Sequence, residues 1–146
     1  MTSLTLGLVQ VTSWALRLVS FVYRHTLKRP INFSEAYNEG NSWAVVTGGS
    51  DGIGEQFCRD LANQGFNICI VARNEVKMQE KLASIKGEAS KNGKNIQTKY
   101  VVADLADLTR YSDYQAIADQ LRDIDIGLLI LNAGWTLMGP FKDLTP

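Results

Sequence analysis

Residues 43–54 read W-A-V-V-T-G-G-S-D-G-I-G, and within them Gly48, Gly52 and Gly54 keep the spacing G-x-x-x-G-x-G. Glycines so placed suit one kind of chemistry, the seating of a pyrophosphate. Lacking a Cβ, they let the backbone turn sharply and come close to phosphate oxygens. The N–H groups in the first turn of a following helix have no carbonyl partner inside it, and the helix dipole favours negative charge there. Ahead of the glycines, Trp43, Ala44, Val45 and Val46 form an apolar run that predicts a strand buried on both faces, ended by Thr47. Behind them, Ile53, Phe57, Cys58, Leu61 and Ala62 repeat with helical spacing. Strand, glycine turn and helix in that order make a phosphate cradle.

The elements that must hold this cradle follow in alternation. Gly65 stands where a helix C-cap belongs, and Phe66–Ala72 (F-N-I-C-I-V-A) predicts a second strand. Asn74 to about Ser90 predicts a charged amphipathic helix with Val76, Met78, Leu82 and Ile85 as its apolar stripe, broken by Asn92-Gly93. Ile96–Val102 predicts a third strand entering A-D-L. Ser112 is expected to cap a helix that buries Tyr114, Ile117, Ala118 and Leu121. Ile126–Leu131 (I-G-L-L-I-L) predicts a fourth, fully buried strand. Short apolar strands separated by amphipathic helices imply an α/β fold, a Rossmann-type doubly wound parallel sheet, seen here as four strands and three helices.

The second strand's end discriminates between nicotinamide cofactors. A site for NAD places an acid there to bind the ribose 2′-hydroxyl. This chain has Ala72 at that position and Arg73 next, with Asn74 beside it. Nothing repels a 2′-phosphate, and a planar cation is in place to bind it, so the expectation is NADP(H). Asp51 departs from that expectation, standing just before the second glycine where a base would suit the 2′-phosphate.

Upstream, Leu4–Tyr23 is mostly apolar, with Gln10, Ser13, Arg17, Ser20 and Arg24 recurring every three or four residues. On a helix these form a narrow polar stripe opposite a wide face of Leu, Val, Trp14 and Phe21. Three readings stay open: a spanning helix, an amphipathic helix lying in a membrane interface, and a soluble helix docked on a core or partner. Spanning would bury Arg17 at roughly 2.5–3.5 kcal/mol. Arg24, Lys28 and Arg29 would keep the following domain cytosolic. No basic residue precedes the apolar stretch and no A-x-A site ends it, which argues against a signal peptide. The expected organisation is a membrane-associated helix with its basic flank over 1–29, a polar linker over 30–41, and the nucleotide-binding domain over 42–146.

Composition excludes several classes. Acids and bases balance, 15 against 15, so no electrostatic case exists for a nucleic-acid partner. Cys58 and Cys69 fall in a predicted helix and strand, as reduced buried thiols rather than a disulfide or metal site. His25, the only histidine, lies beside Arg24 and reads as a solvated flank.

T-G-x-x-x-G-I-G at Thr47–Gly54, Asp104 in V-A-D-L and Asn132-Ala133-Gly134 after the fourth strand together resemble the short-chain dehydrogenases/reductases. Leu131 replaces the first Asn of that family's N-N-A-G, and Gly139-Pro140-Phe141 and Leu144-Thr145 resemble its following loop. The resemblance implies a cofactor site of Gly48, Ser50, Gly52, Ile53, Gly54, Arg73, Asn74, Asp104, Leu105, Asn132, Ala133 and Gly134, with Asp104 against adenine. Asp104 also has a plainer reading as a loop acid capping a backbone N–H, and Asn132 as a bridge between strand ends. Within the family, W-A-V-V-T-G, I-V-A-R-N and D-I-G-L-L-I-L-N-A-G are most similar to membrane-bound very-long-chain 3-oxoacyl-CoA reductases and hydroxysteroid dehydrogenases. That likeness implies a hydrophobic carbonyl substrate and an endoplasmic-reticulum membrane, with the domain facing the cytosol.

The family's chemistry also needs a Ser and a Tyr followed four residues later by Lys. None of the five tyrosines (Tyr23, Tyr37, Tyr100, Tyr111, Tyr114) has Lys in that position. The chain therefore reads as the cofactor half of a reductase, inactive and poorly soluble alone, any homo-oligomer forming through the missing half. A steroid or retinoid dehydrogenase, a non-catalytic nucleotide-binding or scaffold protein, and a membrane-anchored interaction module are the alternatives.

Overall fold

The computed structural model describes residues 2–27 and 32–135. Lys28, Arg29 and Pro30, and the loop resemblance at Gly139–Phe141 and Leu144–Thr145, lie outside the described residues. The chain divides into two units, Met1–Asn32 and Phe33–Pro146.

In the first unit, helix α1 (Thr2–Val22) runs into a π-helical turn at Tyr23–Leu27. Its polar side chains turn back on their own helix. Thr12 Oγ1 donates to the Leu8 and Val9 carbonyls, Arg24 Nε to the Ser20 carbonyl, and Thr26 Oγ1 to the Val22 carbonyl. His25 stacks on Phe21 with ring centroids 4.2 Å apart. Among the described residues no helix is long and apolar enough to cross a membrane.

The second unit opens with a one-turn helix, α2 (Phe33–Tyr37), inside the stretch expected as linker. Asn38 then anchors the chain: its Nδ2 donates to the Gly65 carbonyl at 3.1 Å, and its Oδ1 accepts from Gly40 and Ser42 N–H. Strands β1 (Trp43–Thr47), β2 (Asn67–Ala72), β3 (Thr98–Val102) and β4 (Ile126–Leu131) pair in parallel in the order β3-β2-β1-β4. Helices α3 (Gly52–Asn63) and α4 (Glu75–Lys91) cover one face and α5 (Tyr111–Gln120) the other. Alternate residues serve the two cores. Ala44, Val46, Ile68 and Ile70 meet Cys58, Leu61, Met78, Leu82 and Ile85, whereas Trp43, Val45, Cys69, Val71 and Val101 face Ile117, Leu121 and Ile124. This is the doubly wound Rossmann-type sheet expected, and its strand order reverses beside β1, which opens a crevice at the C-terminal ends of β1 and β4.

The helix ends obey their glycines. Gly65 takes φ +94°, with its N–H bonded to the Ala62 carbonyl and that of Phe66 to the Leu61 carbonyl, the paired bonds of a Schellman close. Burial keeps both cysteines free and inert, pushing each thiol up to about 12.

Several local expectations fail for physical reasons. Val76 is exposed in the first turn of α4, and Ile53 and Phe57 are exposed on α3, because only Cys58, Leu61 and Ala62 face the sheet. The α5 helix buries nothing fully: Ile117 and Leu121 are half-buried, Tyr114 and Ala118 exposed. Its N-cap position is Arg110, not Ser112, and Arg110 makes no side-chain cap bond; instead Asp113 accepts from the Thr109 and Arg110 N–H groups. Among the described residues the β4 strand pairs with β1 only, and Leu129 and Leu131 are exposed rather than buried.

Candidate functional site

The first strand delivers its chain directly into the crevice. Gly48 N–H bonds to the Val71 carbonyl at 2.9 Å, and its φ of +66° turns the backbone toward α3. A Cβ at Gly48 would sit 3.0 Å from Ala133 Cα. Gly54 is tighter still: a Cβ there would overlap the Gly48 carbonyl oxygen and stand 2.5 Å from Asn132 Nδ2. At Gly52, with φ +51°, nothing lies within 4 Å of a Cβ position, so the space beside its Cα is open. Asp51 caps α3, its Oδ1 accepting from Gly52 N–H at 2.9 Å. The N–H groups of Ile53 and Gly54 follow in the turn where the helix supplies no carbonyl partners. Ile53 is 73% exposed.

Thr47 fastens the crevice. Its Oγ1 accepts from the N–H groups of Asn132 and Ala133, both at 3.0 Å, and donates toward the Ile130 carbonyl at 3.4 Å. Asn132 answers with Nδ2 donating to the Thr47 and Gly48 carbonyls at 3.2 and 3.4 Å. The Asn is thus the strand-end bridge that its type allows, and it fixes Ala133 and Gly134 opposite the glycine turn.

A groove of about 1010 Å³ runs across these strand ends, a size at the upper end for cofactor sites. Of the twelve residues expected here, ten line it: Gly48, Ser50, Gly52, Arg73, Asn74, Asp104, Leu105, Asn132, Ala133 and Gly134. Ile53 and Gly54 do not; they form the helix turn beneath. Arg73 is 75% exposed at the side chain and only loosely held, 3.5 Å from Asp104 Oδ2. Asp104 Oδ1 accepts from Ala106 N–H at 3.1 Å, so the acid caps its own loop while facing the groove. Asn74 caps α4 through Oδ1, which accepts from Lys77 N–H at 3.0 Å.

Sequence reasoning missed two contributors. Thr47 stands at the head of the T-G-x-x-x-G-I-G motif, but nothing in the sequence marks its hydroxyl as the bridge to the Asn132 and Ala133 N–H groups. Lys77 lines the groove and reaches Asp51 Oδ2 at 2.6 Å; its signal was its place three residues after the Asn74 cap. With that ammonium as the main cause and the Gly52 N–H second, the Asp51 carboxyl is held below its usual range.

The residues present suit a dinucleotide phosphate: Gly48, Gly52 and a loosely held cation open on one groove, above the first turn of α3. Residues 42–146 match the family described as short chain dehydrogenase. A protein of Caenorhabditis elegans provisionally named steroid dehydrogenase 3 is 42% identical over 95 residues, 65% of this chain and 29% of that one. A very-long-chain 3-oxoacyl-CoA reductase of Meyerozyma guilliermondii is 34% identical over 132 residues, 90% of this chain and 37% of that one. The chain therefore spans about a third of the length of these relatives. The solved short-chain dehydrogenase from Sphingobium yanoikuyae in complex with NADPH superposes with a TM-score of 0.57 at 30% identity, over 71% of this chain and 38% of that one. With the glycine turn, the Asn132 bridge and the 3-2-1-4 sheet already in place, the chain belongs to the short-chain dehydrogenase family.

Proposed function

We propose that the chain is the cofactor-binding part of an NADPH-dependent reductase of a hydrophobic ketone, such as a 3-oxoacyl-CoA, held at the cytosolic face of the endoplasmic reticulum. The observation that carries the cofactor is Arg73, following Ala72 where an NAD site has an acid, and exposed in the groove. When bound, the nicotinamide supplies the hydride. The chain's own work is to bind and orient. Gly48, Gly52 and the α3 N–H groups take the pyrophosphate, Arg73 and Asn74 take the 2′-phosphate, and Asp104 and Leu105 border the adenine. Asn132, Ala133 and Gly134 wall the ribose side. Residues 1–29 are the membrane-associated segment, 30–41 the link, and 42–146 the nucleotide-binding part.

The substrate class rests on the relative from Meyerozyma guilliermondii and on the apolar helix ahead of the domain. The likeness to the Caenorhabditis elegans protein favours a steroid as the second reading. Assays of the full-length protein against a long-chain 3-oxoacyl-CoA and a ketosteroid separate the two.

The cofactor reading is tested with Arg73→Ala by fluorescence titration. NADPH binding falls about tenfold or more, the scale of charge-assisted bonds to a phosphate, while NADH binding changes by less than about twofold. Equal losses for the two nucleotides reject the assignment.

A further inference from the structure

Asp51 places a carboxylate on the same groove as Arg73, where a 2′-phosphate would be repelled. Two bonds fix it. Oδ1 accepts from Gly52 N–H at 2.9 Å, which ties the side chain to the start of α3, and Oδ2 accepts from Lys77 Nζ at 2.6 Å. Lys77 is itself set by Asn74, whose Oδ1 accepts from Lys77 N–H one residue after Arg73. Lys81 is the other cation acting on Asp51, but its Nζ bonds Glu55 at 2.7 Å. Lys77 is thus the cation committed to the Asp51 carboxylate.

Resting on the NADP(H) reading, we propose that Lys77 is a specificity residue that acts through Asp51. By pairing with that fixed carboxylate it offsets one of the two carboxylates on the groove, the other being Asp104 beside Arg73, so preference for NADPH depends on the Lys77–Asp51 pair as well as on Arg73. Lys77 here is a positioning residue, not a direct ligand of the phosphate, since its ammonium is already engaged and its partner is held by the helix cap.

The test is a double-mutant cycle in the full chain, purified in mild detergent, with NADPH and NADH as titrants. Lys77→Met keeps the apolar stem, and Asp51→Asn keeps an Oδ1 to cap Gly52, so neither removes a core contact; circular dichroism checks each fold. Lys77→Met weakens NADPH binding about fivefold, the upper scale for one exposed ion pair, and leaves NADH within about twofold. In the Asp51→Asn background the same substitution costs less than about twofold. An equal NADPH loss in both backgrounds overturns the inference, and so does no loss in either. A wild type that binds NADH more tightly defeats the NADP(H) reading instead, and the dependence of the Lys77→Met effect on Asp51 still decides this one.

Discussion

Gly54 shows how little freedom the phosphate turn allows a single residue. It is buried, and the Gly48 carbonyl and the Asn132 amide occupy the space a methyl group would need. Both neighbours are fixed, Asn132 by its bonds to the Thr47 and Gly48 carbonyls and Gly48 by its bond to Val71. Gly54→Ala therefore lowers stability by about 2–3 kcal/mol, the scale of an overpacked site, and abolishes nucleotide binding. Urea unfolding checks the first effect and NADPH titration the second; an unchanged midpoint would mean that the turn yields. At Gly52 the contrast is instructive, because its strain comes from φ +51° alone, with no neighbour to clash. Two glycines of one motif are required for different reasons, and spacing in the sequence does not separate them.

Strands and long helices were legible wherever burial on both faces or a strong apolar stripe left one answer. The runs at Trp43–Val46 and Phe66–Ala72 fixed β1 and β2, and Gly65 and Asn92-Gly93 ended α3 and α4 where expected. Legibility failed where an element has one partner or sits at a rim. The α5 stripe marked Tyr114 and Ala118 for burial, yet the one sheet face beside them covers only Ile117 and Leu121. Side-chain pairings between elements, such as Lys77 with Asp51, have no periodic signature at all. The α1 helix carries its own prediction. Thr12, and Arg24 and Thr26 in the turn that follows, bond to carbonyls one turn back, which lowers their desolvation cost at an interface. A peptide of residues 1–29 is expected to bind anionic vesicles with a blue shift of Trp14 emission. Val19→Glu, opposite the polar stripe, weakens that partition about tenfold, whereas Ser13→Glu, within the stripe, changes it by less than about threefold. No shift on adding vesicles would remove the interfacial helix from the account.

Across the whole molecule, the parts combine into one end of a nucleotide site with a polarity. The reversal of strand order beside β1 opens the groove, Thr47 and Asn132 lock its floor, and Arg73 stands at its rim with an acid-free strand end behind it. On the proposed reading, the chain binds a nicotinamide dinucleotide and tells a 2′-phosphate from a 2′-hydroxyl. Calorimetric titration of the chain with NADPH and NADH, in one buffer at fixed salt, measures both. The account predicts saturable binding, with a Kd for NADPH lower than that for NADH by about tenfold or more. Failure of both nucleotides to saturate, or tighter binding of NADH, would contradict it.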